Sequence, residues 1–271
     1  MKKGLAAVFS WFVVAGLPGM GWAIDYRLEA SLARYHWTED VGSVQPEEKN
    51  GPMYELGGYV VGSPFASRPE LTLRGELQVF HASVDYDTFL LGSPQTAVDT
   101  QTVYWGAKHE LDLGVRVKGG RTTVEPFMGL AYRWWQRYIK STDSVTGYPE
   151  WYRTLYGRLG LRGEHWFSRR VALITTASVD PMLWARERID LGDISGEILT
   201  VRNGKRSGWT LEIGVQQLAP DGRHEVDASL FWQATRFGES NVVACGLGGS
   251  GGCLQPESDQ NIIGLKIGVK L

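Results

Sequence analysis

The stretch "HASVD" carries the residues whose types best fit a reaction. His81, Ser83 and Asp85 recur at every second position, so an extended strand points all three to one face. A hydroxyl, an imidazole and a carboxylate together can attack an acyl ester, the imidazole taking the hydroxyl proton, once the groups meet within hydrogen-bond reach. Residues two apart on a strand are about 7 Å apart along the backbone, which works against such a contact. The neighbouring "DYD" sets Asp85 near Asp87, a carboxylate pair that could activate water if a base stood opposite. The five histidines are His36, His81, His109, His165 and His224, and the segment 185–207, which offers Asp190 and Asp193, contains none of them.

Other chemistry is thinly represented. Cys245 and Cys253 are the only cysteines and flank "GLGGSGG", a tract flexible enough to let them meet, so an oxidising compartment would join them as a disulfide. Two thiolates with no histidine nearby make half of a structural zinc site, and no metal is expected there. "DLGDISGE" collects acids without the ligand spacing of an EF-hand loop and reads as solvated surface. The glycine tract precedes a strand rather than a helix, so it is not a phosphate cradle, and no cofactor is expected.

These residues need elements to position them, and the apolar pattern supplies one kind. Alternation of period two covers about 25–37, 53–62, 71–86, 102–117, 122–138, 151–166, 171–183, 208–218, 224–237 and 261–271, with no helical period between, which predicts an all-β chain. In 102–117, Val103, Trp105, Ala107, His109, Leu111, Leu113 and Val115 share one face, while Lys108, Glu110, Asp112 and Arg116 share the other. The links "SPFASRPE", "KGGR", "SRR" and "PDGR" are short; those between them are long and polar. Short turns alternating with long loops around an even number of strands predict a transmembrane antiparallel up-and-down β-barrel of about ten strands, with short periplasmic turns and long extracellular loops.

The ends and the charge agree with export. Residues 1–23 hold Lys2, Lys3, an apolar run from Leu5 to Leu17 and a small-residue site before Ile24, the pattern of a signal peptide, which leaves 24–271 as one outer-membrane barrel domain. Loss of the two lysines takes the formal charge from −2 to −4 and argues against a nucleic-acid partner. Tyrosines and tryptophans gather near the strand ends that feed the long loops. Tyr35, Trp37, Tyr104, Trp105, Tyr132, Trp134, Trp135, Trp151, Tyr152, Trp184, Trp209 and Trp232 are therefore expected as a girdle at the membrane interface.

The whole pattern resembles the bacterial outer-membrane β-barrel superfamily, near the size of OmpA-like and omptin barrels. "NIIGLKIGVKL" is similar to the C-terminal strand of such proteins, although it ends in Leu271 where they end in an aromatic residue. The resemblance to omptins implies an acidic pair facing a histidine across the outer cleft, and the loop opposite Asp85 and Asp87 lacks that histidine. The spacing of His81 and Ser83 resembles that of outer-membrane lipid A deacylases, which implies an outer-leaflet lipid hydrolase.

A barrel of about ten strands is only slightly wider than one that its own side chains fill. Parity sends Arg74, Glu76, Lys108, Glu110, Asp112, Arg116, Glu125, Arg133, Arg158 and Arg162 inward as a lumen charge network, joined by Arg27, Glu29, Glu164, Glu212, Asp227, Lys266 and Lys270. Arg116 is expected to pair with Glu125 across the "KGGR" turn in a confined space. The reading is a non-enzymatic barrel with a binding, adhesive or membrane-structural role. A narrow ion channel and the lipid hydrolase remain the alternatives. The expected partners are outer-membrane lipid, including lipopolysaccharide, and an extracellular ligand, with the protein acting as a single copy.

Overall fold

The computed structural model describes residues 24–40, 47–90, 93–143, 146–219, 225–244 and 252–271. The expected signal segment 1–23, the turn at 220–224 and Cys245 lie outside the described residues. The strands are β1 (Ile24–Asp40), β2 (Glu47–Gly62), β3 (Leu71–Leu90), β4 (Ser93–Val115), β5 (Val117–Gly119), β6 (Thr122–Ile139) and β7 (Pro149–Trp166). They continue as β8 (Val171–Leu191), β9 (Glu197–Val201), β10 (Ser207–Leu218), β11 (Glu225–Phe237), β12 (Val243–Ala244), β13 (Gly252–Cys253) and β14 (Glu257–Lys270). No helix occurs among the described residues.

Ten strands form the wall. β1, β2, β3, β4, β6, β7, β8, β10, β11 and β14 pair as antiparallel neighbours in chain order, and β14 returns to β1 with Arg27 opposite Lys270 and Asp40 opposite Glu257. Closure leaves the wall without an unpaired edge. The short strands are additions: β5 continues β4 along β6, β9 extends the β8 wall, and β12 with β13 makes a separate small hairpin within a long connection. In the "KGGR" turn Gly120 takes φ 61°, a left-handed conformation that favours glycine.

Alternation then sorts the side chains. Leu32, Leu56, Leu111, Met128, Leu159 and Leu265 stand exposed on the outside, while the opposite parity is buried inside. Toward the long-loop end the outer face changes character: Arg34, Arg153 and Arg186 follow directly on the apolar band. The wall nevertheless continues upward, so β4 begins nine residues before its predicted start and β8 runs eight beyond its predicted end. Apolar alternation marked only the part of each strand that needs an apolar exterior.

A bulge in β8 interrupts the alternation. Leu155 pairs with Trp184 and Tyr156 with Met182, so Leu183 is an extra residue in β8. Leu183 and Trp184 both face outward, and below and above them opposite parities face in.

Candidate functional site

The interior is organised as two layers. The layer nearer the short turns is ionic. Arg158, on β7, donates from Nη1 to Asp112 Oδ1 at 3.1 Å and Oδ2 at 3.0 Å and also to Glu110, and its Nε reaches Asp180 Oδ1 at 3.4 Å. Arg162, four residues further along β7 on the same face, pairs with Glu125 Oε1 at 3.0 Å and with Asp112. Lys108 meets Glu110 at 3.0 Å, and Arg74 meets Glu76 at 2.9 Å while lying 3.4 Å above the Tyr59 ring. Lys266 bridges Glu212 at 2.7 Å and Glu29 at 3.7 Å, and Arg27 holds Asp227 and Glu225. Asp112 extends over the backbone of β6 at Gly129, where a Cβ would collide with its carboxylate. Charges withdrawn from water require such matching, since a lone one is costly.

Two residues expected in this network sit differently. Arg116 does donate to Glu125, at 3.1 Å, but its side chain is 44% exposed, because β4 ends at Val115 and Arg116 lies at the short-turn rim. Arg133 makes no ion pair among the described residues. It donates to Gln260 Oε1 at 2.6 Å and lies between the rings of Phe80, at 4.7 Å, and Trp135, at 4.9 Å. It belongs to the layer above.

That upper layer is aromatic and contains residues expected in the girdle. Tyr35, Trp37, Tyr104, Trp135 and Tyr152 face the lumen and are almost wholly buried. Trp135 stacks on Tyr152 at 4.7 Å with planes 1° apart, Trp37 stacks on Phe237 at 5.3 Å, and Tyr35 packs on Tyr104 at 4.9 Å. Trp105, Trp184 and Trp232 do stand exposed on the outside. Position along a strand cannot separate the two groups, whereas parity does: Trp134 faces out and Trp135 faces in.

Above the rings, beyond the apolar exterior band, lies a buried charged cluster. Arg137 holds Glu150 through both Nε and Nη2, the latter at 2.8 Å to Oε1, and gives Nη1 to Glu39 Oε1 at 2.6 Å. Lys49 Nζ and Trp37 Nε1 converge on the same Glu39 oxygen at 2.6 and 2.8 Å. Burial alone would raise the Glu39 carboxyl, but Lys49 and Arg137 overcome it and hold the group well below the usual carboxylate range. Glu187 completes the cluster from β8, fully buried, with Asn203 donating to its Oε2 at 3.3 Å. Burial first, then the charge of Glu150, pushes the Glu187 carboxyl up to about 8.

Two cavities lie among the described residues of the interior. One of about 150 Å³ lies at the short-turn end among Arg27, Arg74, Arg162, Glu125, Glu212 and Lys266. The other, about 40 Å³, lies between the layers beside Lys108, Glu110, Tyr156 and Asp180.

His81, Ser83 and Asp85 do share the outer face of β3, opposite Tyr54, Val103 and Asn50 respectively. No hydrogen bond joins the three among the described residues. The side chain of Asp87 lies outside the described residues, and Asp190, near the end of β8, accepts from the Gly192 amide at 3.1 Å.

No protein-family model matches the chain, and no curated protein matches it. Solved structures do. The outer membrane protease OmpT from Escherichia coli aligns with TM-score 0.58 at 9% identity, covering 94% of this chain and 99% of that one. The translocator domain of the autotransporter NalP from Neisseria meningitidis aligns with TM-score 0.44 at 16% identity, covering 97% and 94%. The likeness to OmpT shows a common fold, the closed antiparallel barrel of outer-membrane proteins.

Proposed function

We propose that the chain is a non-enzymatic outer-membrane barrel with a closed lumen, which holds its long loops at the cell surface for a binding or membrane-structural role. The observation that carries this reading is the doubly filled interior. The Arg158, Asp112 and Glu110 network occupies the lower lumen and the Trp37, Trp135, Tyr152 and Phe237 stack the upper one. A pathway for solutes would have to cross both. The absence of any hydrogen bond among His81, Ser83 and Asp85 argues against the hydrolase, since a hydroxyl nucleophile needs its base within reach.

The exterior supports this placement in the membrane. The apolar band matches hydrocarbon, and Arg34, Arg153 and Arg186 mark its outer limit. Arg153 and Arg186 are direct cross-strand partners, both exposed. Like charges set opposite each other on one face repel, and the anionic headgroups of the outer leaflet, lipopolysaccharide phosphates among them, would relieve that repulsion.

The test is conductance of the refolded protein in planar bilayers, together with fatty-acid release from lipid A. We expect no steady conductance and no release. Steady single-channel steps in the wild type would replace this reading with the narrow channel, and release that disappears in Ser83→Ala would replace it with the hydrolase.

A further inference from the structure

Glu187 is the carboxylate left over in the upper cluster. The groups facing it are Glu150 and Tyr152 from β7 and Arg137 from β6, and behind these stand Glu39 from β1 and Lys49 and Glu47 from β2. Arg137 has committed its Nε and Nη2 to Glu150 and its Nη1 to Glu39, and Lys49 is committed to Glu39, with Glu47 4.0 Å away. No cation of the cluster forms an ion pair with Glu187 among the described residues. Its neighbour across β9 is the apolar Val201.

The unused atoms are informative. Asn203 Nδ2 donates to Glu187 Oε2, and the remaining oxygens of these same two planar groups, Glu187 Oε1 and Asn203 Oδ1, are both buried without a partner. Two acceptors are left over from one hydrogen-bonded pair, and the one hydroxyl proton of the facing Tyr152 goes to Glu150 Oε2 at 3.1 Å. A proton on Glu187 Oε1 supplies the missing donor, closing a two-point ring in which the acid gives to the amide carbonyl and the amide gives to the acid carbonyl.

We propose that Glu187 is protonated and joined to Asn203 as an acid–amide pair, and that this pair latches a cap across the long-loop end of the barrel. Asn203 belongs to the segment that makes the cap. On one side of it Arg202 exchanges hydrogen bonds with Asn241, its amide reaching Asn241 Oδ1 at 2.7 Å and its carbonyl accepting from the Asn241 amide at 3.2 Å. On the other, Gly204 and Gly238 exchange two backbone hydrogen bonds of 3.0 Å. Phe237, next to that bridge, is stacked on Trp37 in the plug. The latch thus ties the β8 wall to both long connections and, through Phe237, to the aromatic layer.

Loss of the proton removes the donor and leaves a buried negative charge beside Glu150. With the carboxyl at about 8 in the closed cap and near its ordinary 4.5 once released to water, the sign is fixed. The closed form binds the proton more tightly, so its advantage is complete below pH 4.5 and is lost as pH rises toward 8, the open population growing about tenfold per pH unit across that window.

The test is trypsin cleavage at Arg202, Lys205 and Arg206 in the folded, full-length barrel at pH 6 and pH 9, scaled to an unstructured peptide carrying the same sites. Wild type should be cut roughly tenfold or more faster at pH 9, and Glu187→Gln, which keeps a neutral partner for Asn203, should stay slow at both. Equal wild-type rates at the two pH values, or a Glu187→Gln protein that follows the wild type, would overturn the proposal. If Glu187→Gln does not fold, infrared spectroscopy of the wild type decides. A protonated buried carboxyl band present at pH 6, gone at pH 9 and kept in a Glu29→Gln protein supports the latch, and no such band at pH 6 refutes it.

Discussion

Arg158 on β7 reaches past β6 to Asp112 on β4 in the lower lumen, one guanidinium nitrogen lying within 3.1 Å of both oxygens of a carboxylate that is itself buried. Removing one member of a buried pair leaves the other uncompensated, at a cost of about 3 to 5 kcal/mol. Arg158→Ala should therefore lower the urea midpoint of the refolded barrel strongly. Arg116→Ala removes a pair at the exposed rim and should cost about 1 kcal/mol or less. Equal midpoints for the two variants would show the lower lumen to be open to water.

The aromatic layer should be as consequential as the ionic one. Trp135 is buried and stacked on Tyr152, and truncating a buried tryptophan costs about 3 to 5 kcal/mol. Because these two layers, the charged cluster above them and the cap lie in series along the lumen, neither Trp135→Ala nor Arg158→Ala alone should conduct in a planar bilayer. Conduction by Trp135→Ala alone would mean that the ionic layer is no barrier.

Cys245 and Cys253 are proposed to be joined outside the cell. Mass spectrometry of unreduced protein taken from membranes should find no thiol open to alkylation, and reduction should expose two. Alkylation of both without reduction rules the bridge out.

Arg153 and Arg186 should make stability depend on the lipid. Replacing both by Gln should raise or leave unchanged the melting temperature in phosphatidylcholine bilayers, where their repulsion is unrelieved, and lower it in bilayers that contain lipopolysaccharide. The same change in both lipids would refute an anionic headgroup at this pair.

Strand number, turn placement and the inward parity of Lys108, Glu110, Asp112, Arg158 and Arg162 were legible in the sequence, because a wall with an apolar exterior must alternate. The upper cluster was not. Glu39, Glu47 and Glu150 lie outside the apolar alternation, which ends at 37 and resumes at 53 and at 151, since the apolar signal stops where the exterior turns polar. A usable signal was nonetheless present in β7, where Glu150, Tyr152, Thr154, Tyr156 and Arg158 continue one parity without a break. No such continuation reaches Glu187, because the extra residue Leu183 shifts the alternation between Asp180 and Glu187.

That extra residue gives β8 a reading frame. Below it the even positions Asp180 and Met182 face in, and above it the odd positions Ala185 and Glu187 do. Deleting Leu183 alone would remove the bulge and restore strict alternation, with Met182 in, Trp184 out, Ala185 in, Arg186 out and Glu187 in, whereas deleting Ala185 with the bulge kept would carry Arg186 and Arg188 into the dry interior and put Glu187 outside. Removing two adjacent residues from that wall would shorten it and leave every remaining side chain on its own face. A change of one residue in this part of the barrel can therefore be absorbed only at the bulge, and elsewhere its length must change in steps of two.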